Sequence, residues 1–301
     1  MANTFTLPDG IYPPLPTFFD AQEELDLATF RRHIQNLAQT GIAGYVVMGS
    51  NGEAPHLTAG ERTQLIQTAR STAGETIPIL AGCGEQSTHA TITHCHLAAR
   101  AGADVALVLP PFYFKNRMDS QALLAHYRTI ADASPLPIVI YNMPANTAGI
   151  DLDAALVCTL AEHPNIIGIK DSAGNIAKLA QIVAQAPAHF RVFAGSAGYL
   201  LPALTVGAVG AVAALANIFP REVCQVQALF NAGKLVEARR LQARLVPANT
   251  AVTTIYNVPG LKAALELTAG YGGRPRSPLQ PLTPSERDRL AQILQAIQLH
   301  T

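Results

Sequence analysis

The chain carries five lysines, at positions 115, 170, 178, 234 and 262, and one of them stands in an unlikely place. Lys170 closes the β-branched apolar run of "NIIGIKDSAG", with Asp171, Ser172 and Gly174 behind it. Burial disfavours the charged form of an amine and lowers its pKa, by several units when burial is complete. A neutral amine attacks carbonyl carbon and forms a Schiff base. The competing reading is a lysine that reaches past the strand end to solvent, or pairs with Asp171. Tyr141 closes the preceding apolar run, "PIVIYN". A phenol beside the amine can shuttle the proton that carbinolamine dehydration and C–C cleavage require. Taken alone, Tyr141 is more often a core tyrosine with a bonded hydroxyl.

Other polar residues follow the same kind of run. In "GSNGE", Ser50, Asn51 and the local N–H groups can hold a carboxylate. The alternative is a tight turn leading to a helix cap at Thr58. Glu53 fits a loop-fixing role better than proton chemistry. Tyr113 lies in "PPFYF", Asn146 in "YNMPANTAG" and Ser196 in "AGSAG", while Asn217 follows the last run. This set is rich in hydroxyls and amides and holds no His/Asp/Glu cluster, which argues against metal-assisted hydrolysis or metal-enolate chemistry. His89, His94 and His96 lie on one helical segment, but positions 94 and 96 do not share a helix face.

The elements that must position these residues are legible from period. "PPLPTFF", "GYVVMG", "IPILAG", "DVALVLP", "PIVIYN", "IIGIKD", "RVFAGS" and "GAVGAVAAL" are near-continuous apolar runs, as expected for parallel strands covered on both faces. Helical segments such as "DLATFRRHIQNLAQTG" and "STHATITHCHLAARAGA" alternate with them. Thr58 with Glu61, and Thr283 with Glu286, form capping boxes, the second with Pro284 at the first helical position. Eight strands alternating with helices over about 230 residues predict a (β/α)8 TIM barrel, with catalytic groups at the C-terminal ends of the strands. Residues 1–232 would form that barrel and residues 233–301, helical throughout, a C-terminal subdomain. A doubly wound open sheet fits less well, since no G-x-G-x-x-G follows the first strand.

Charge and composition narrow the partners. Net charge is +0, with 14% of residues charged and no basic stripe or acidic block, which disfavours nucleic acid and anionic membrane. Residues Val192 to Pro220 carry no charge, but their glycines and prolines read as strand, turn, short helix and strand rather than a membrane span. Cys83, Cys95, Cys158 and Cys224 have no paired spacing, which suggests reduced thiols and a cytoplasmic protein. The opening residues show no targeting pattern.

Taken together, "GSNGE", "YNMPANT", "GIKDSAG" and "GSAGYL" resemble the class I aldolases of the dihydrodipicolinate synthase and N-acetylneuraminate lyase superfamily, over essentially the whole chain. The resemblance implies a TIM barrel with a C-terminal helical subdomain, a homotetramer built as a dimer of dimers, and pyruvate chemistry without a metal or organic cofactor. Lys170 matches the lysine that forms the Schiff base with pyruvate, and Tyr141 the proton-relay tyrosine. Ser50 and Asn51 match the grip on the pyruvate carboxylate. Tyr113 matches a tyrosine that enters the neighbouring subunit's site, and Gly195 and Val212 match pocket-lining positions. Two departures stand out. Asn146 occupies the place where dihydrodipicolinate synthases usually carry an arginine, and it lacks a charged bidentate fork. Ser50-Asn51 replaces a threonine pair. Both changes, with "PANT", "KDSAG" and "GSAG", resemble 4-hydroxy-2-oxoglutarate aldolases, with Ser172 and Ser196 as contacts for the distal part of the substrate. A synthase with an atypical aldehyde site, a 2-keto-3-deoxy sugar-acid lyase and a non-catalytic 2-oxo-acid-binding regulator are the alternatives.

Overall fold

A computed structural model describes residues 5–298. Residues 1–4, the start of the segment read for targeting, and residues 299–301, the end of the predicted C-terminal helical region, lie outside the described part.

Eight parallel strands follow one another round a TIM barrel. They are β1 (Gly10–Tyr12), β2 (Tyr45–Val47), β3 (Ile79–Gly82), β4 (Val105–Val108), β5 (Ile138–Asn142), β6 (Ile166–Asp171), β7 (Arg191–Ala194) and β8 (Gly210–Val212). Sequential neighbours pair from β2 to β8, and β8 pairs with β1. The order closes the sheet except between β1 and β2. There the gap is bridged at Pro14 and Val46, by Leu15 N–H to Val46 C=O at 2.8 Å and Val46 N–H to Pro13 C=O at 3.1 Å.

That gap corrects one expectation. The first strand is Gly10–Tyr12, not the following "PPLPTFF". Proline has no N–H to give a ladder, so the pairing stops where Pro13, Pro14 and Pro16 begin. The other seven predicted strands lie where the apolar runs place them. The uncharged stretch from Val192 contains most of β7, a short helix over Leu200–Thr205, and β8. No helix among the described residues is long and apolar enough to cross a membrane.

Strand side chains alternate between two cores. Tyr12, Val46, Leu80, Leu107, Val139, Phe193 and their neighbours fill the barrel interior, with Leu7 among them. The outward set packs under the helix ring in a larger cluster, which also takes in Leu245, Val252 and Leu261 from the C-terminal helices. Of the helix signals, Thr58 and Glu61 form the predicted capping box of the helix over Ala59–Ala73. Gly102 closes the helix over Thr88–Ala101 in a left-handed conformation that glycine adopts without strain. The helix before Gly41 covers Leu27–Leu37. Near the C-terminus, Pro247 sits inside the helix over Leu235–Thr250, and a π-helical turn over Ala251–Ile255 follows, closed by Tyr256 N–H to Ala251 C=O at 2.9 Å. π-turns of this kind often mark functional positions.

Candidate active site

β5 and β6 set the centre. Their register places Tyr141 directly across from Lys170 and Asn142 across from Asp171. Ile138 pairs with Ile166 but Val139 pairs with Gly168, so Ile167 is an extra residue in β6. Such a bulge re-aims the side chains beyond it. Lys170 is 3% exposed, and its Nζ lies 3.6 Å from the centroid of the Tyr141 ring. Asp171 is completely buried on the opposite face, with its carboxylate on Asn142 and Lys178. Lys170 therefore neither reaches solvent nor pairs with Asp171.

Among the described residues three lysines are buried, and the comparison among them is informative. Lys262 Nζ lies 2.6 Å from Glu53 Oε1, and Lys178 Nζ lies 2.8 Å from Asp171 Oδ2. Among the described residues Lys170 is the buried lysine with no carboxylate partner. Isolated buried charge is costly, so buried cations are normally paired. An amine kept in the barrel without a counter-ion, against the face of a phenol, is arranged for chemistry rather than for stability.

Tyr141 Oη shares a hydrogen bond of 3.2 Å with Ser50 Oγ. Burial alone would raise the phenol's pKa. The Lys170 amino group beside it, whenever it carries its proton, and the polar contacts with Ser50 and Ser172 outweigh burial, and the phenol lies below the ordinary tyrosine value. A lowered phenol is a better proton acceptor near neutrality.

Ser50 and Asn51 open a 3₁₀ turn over Ser50–Gly52. Its first internal hydrogen bond is Gly52 N–H to Gly49 C=O at 3.0 Å, which leaves the Ser50 and Asn51 amides ahead of the turn's ladder. Met48 (φ 57°) and Glu53 (φ 54°) flank the turn in left-handed backbone, a strained state for such residues. The strain is held from outside. Glu53 binds Lys262 and accepts the Arg276 N–H at 2.9 Å, and Thr17 Oγ1 donates to Gly52 C=O at 2.6 Å. Glu53 thus fixes the loop, as its position suggested.

A cavity of about 720 Å³ opens beside this centre. Ser50, Tyr141, Asn146 and Tyr113 line it together, whereas Asn51 and Lys170 do not, Lys170 standing against the ring of Tyr141. Asn257 lines it too and was not anticipated. Its φ of 49° comes directly after the π-turn, and an asparagine before Val-Pro at a helix start was the available signal. The remaining expected residues sit around the strand ends. Gly195 donates its N–H to Asp171 C=O at 2.7 Å, and a Cβ there would lie 1.9 Å from Ser172 Oγ. The Ser172 hydroxyl is buried close to that backbone. Ser196 Oγ instead bonds Asn249 and accepts the Gly198 N–H at 3.1 Å. Val212 ends β8 inside the inner core, and Asn217 holds His33 Nε2 at 3.0 Å, outside the cavity.

The model of the dihydrodipicolinate synthetase family matches residues 7–297. The chain belongs to that family. It is 42% identical over 295 residues, 97% of this chain and 94% of the other, to a probable mitochondrial 4-hydroxy-2-oxoglutarate aldolase of Emericella nidulans. It is 39% identical to an L-threo-3-deoxy-hexylosonate aldolase of Hypocrea jecorina, covering 97% of this chain and 96% of that one. Among solved structures, a dihydrodipicolinate synthase of Bacillus anthracis superposes with a TM-score of 0.92 at 30% identity, covering 97% of this chain and 99% of that chain. As a member of the dihydrodipicolinate synthetase family this protein is a lyase, of the group to which such aldolases belong.

Proposed function

We propose that this lyase reversibly cleaves 4-hydroxy-2-oxoglutarate to pyruvate and glyoxylate through a Schiff base on Lys170. The observation that carries the chemistry is the unpaired buried amine of Lys170 against Tyr141. The Lys170 amine attacks the 2-oxo carbon while the carboxylate beside it rests on Ser50, Asn51 and their amides. Tyr141 gives its proton to the departing water, and the carbinolamine becomes a protonated imine, which takes up the electron pair when C3–C4 breaks. The Tyr141 phenolate, favoured by its lowered pKa, then accepts the proton of the 4-hydroxyl group. Glyoxylate leaves, Tyr141 returns that proton to the enamine at C3, and its phenolate takes up the proton set free when water releases pyruvate and the free amine. No step requires a metal or an organic cofactor. Orientation and preorganised dipoles supply the acceleration.

Asn146 at the cavity wall, Ser172 and Ser196 are proposed for the distal end of the substrate, and Gly195 and Val212 for the pocket wall. A contact to Ser196 requires its hydroxyl to exchange from Asn249. The relatives named as 4-hydroxy-2-oxoglutarate aldolases support this choice of substrate. A second reading, a 3-deoxy-2-oxo sugar acid, is favoured by the cavity itself. It offers the amides of Asn146 and Asn257, and its one arginine, Arg62, is engaged with Glu85 and with the carbonyls of Ala54 and Gly82. The test is parallel assay of 4-hydroxy-2-oxoglutarate and a panel of 3-deoxy-2-oxo acids. Glyoxylate release with the highest kcat/KM supports the first reading, and preference for a longer polyhydroxy acid transfers the assignment to the second.

A homotetramer, with Tyr113 reaching a neighbour's site, belongs to the same proposal. Tyr113 and Phe114 stand 76% and 69% exposed in an edge-to-face pair, and Tyr113 borders the cavity, so large apolar surface is offered where a partner would meet the site. The barrel and helical subdomain are divided at 232/233, after the helix over Pro220–Asn231. The cytoplasm remains the proposed compartment, in keeping with four free thiols.

A further inference from the structure

Behind Lys170 and Tyr141, on the outer face of the same two strands, lies a closed polar cluster. Asn142 follows Tyr141, Asp171 follows Lys170, and the two are register partners. Alternation turns the reactive pair into the barrel and this second pair outward. Asn142 Nδ2 donates to Asp171 Oδ2 at 2.8 Å and to Asp151 Oδ1 at 2.6 Å, and Asn142 Oδ1 accepts the Leu152 N–H at 3.0 Å. Asp171 Oδ1 accepts the Ala173 N–H at 2.9 Å. Lys178, from the helix over Ile176–Gln185, places Nζ 2.5 Å from Asp151 and 2.8 Å from Asp171. The Asp171 C=O receives the Tyr199 hydroxyl at 2.7 Å and the Gly195 N–H at 2.7 Å. Asn142 and Asp171 are fully buried and Lys178 nearly so.

We propose that Lys178, Asp171 and Asn142 are positioning residues that lock the ends of β5 and β6 so that the Lys170 amine stays over the Tyr141 phenol. This inference rests on the Schiff-base reading of Lys170. Three observations support a positioning role over a purely stabilising one. The cluster sits one residue from each reacting group, on both strands at once. It ties those strand ends to a helix and to the loop at Asp151, so either strand can shift only by breaking it. It also closes the run of four register pairs that follows the Ile167 bulge, and so holds the register that the bulge resets. A buried ion pair is weak as a source of stability but effective as a device for a unique geometry. Misplacement of a reacting group by an ångström lowers rate by up to about 100-fold.

The test compares wild type with Lys178→Met and Lys178→Arg, by steady-state cleavage and by the rate and final extent of borohydride trapping of pyruvate on Lys170. For Lys178→Met the expectation is a fall in kcat and in trapping rate of about 10-fold to 100-fold, with KM within about twofold and full final labelling. Lys178→Arg should restore most of the rate. Unchanged kcat and trapping rate in folded Lys178→Met overturn the inference. So does a fall explained wholly by a reduced fraction of labelled sites, which is the mark of unfolding. Should Lys178→Met not fold, Asp151→Asn removes only the more exposed carboxylate and carries the same test, with about a threefold fall in trapping rate expected and no change overturning it. If wild type itself traps no pyruvate on Lys170, the Schiff-base reading fails instead.

Discussion

Replacement of Tyr141 by phenylalanine separates the two roles that the structure gives this side chain. The ring stays, so the surface against which Lys170 Nζ rests at 3.6 Å is retained, and the strand pairing of residues 141 and 170 is backbone only. What is lost is the hydroxyl, with its 3.2 Å bond to Ser50 Oγ. One hydrogen bond is worth about 1 kcal/mol net, so Tyr141→Phe should unfold only slightly earlier in denaturant. Its effect on rate should be far larger. A positioned general acid–base contributes about 10² to 10⁴ in rate, and at 1.36 kcal/mol per decade that is about 3–5 kcal/mol of barrier. The assay is glyoxylate release at saturating 4-hydroxy-2-oxoglutarate, run beside equilibrium trapping of pyruvate by borohydride. Cleavage should fall by at least about 100-fold while the final extent of trapping is preserved. A folded Tyr141→Phe with cleavage within about fivefold of wild type would refute the proton-transfer role, since the lost hydroxyl would then carry too little of the barrier.

Other outcomes follow from the same geometry. Lys262→Met leaves Glu53 buried without its cation and should cost about 3–5 kcal/mol in denaturant unfolding, with a loss of pyruvate affinity as the Ser50 turn loosens. Gly195→Ala pushes a Cβ into Ser172 Oγ and the Asp171 carbonyl, and should cost about 1–3 kcal/mol and lower kcat as the end of β6 shifts. His33 is fully buried, and burial pushes its pKa down to about 4, so the unfolded chain takes up its proton first as pH falls. Its contribution is present above about pH 6.5 and is lost between about 6.5 and 4, some 3 kcal/mol in all, which urea titrations of wild type and His33→Gln across that window will show as a steeper dependence in wild type.

Much of the barrel was legible because buried parallel strands are apolar on both faces, and β2 to β8 carry that mark. β1 was not, because Leu15, Phe18 and Phe19 make "PPLPTFF" look like a strand while its three prolines remove the donors that pairing needs. Lys170 was legible for the reason that makes it reactive: a cation closing an apolar run is conspicuous, and its register partner Tyr141 closes the run before it. The supports of the site were not. Lys262 and Glu53 are far apart in the chain, as are Lys178 and Asp151, and nothing local in a lysine on a helix face tells whether a carboxylate will meet it. Asn257 follows a π-turn that the helical period of its segment does not announce. The hydroxyl of Ser196 looked free in sequence, and only the fold brings Asn249 to it.

The central claim is that the Lys170 amine forms the covalent link to substrate. Incubation with pyruvate and borohydride, then peptide mapping by mass spectrometry, tests it most directly. The account predicts one reduced pyruvyl adduct per chain, on Lys170, absent from Lys170→Met. An adduct on Lys115, Lys178, Lys234 or Lys262 instead, or none under conditions where glyoxylate is still released, would contradict it.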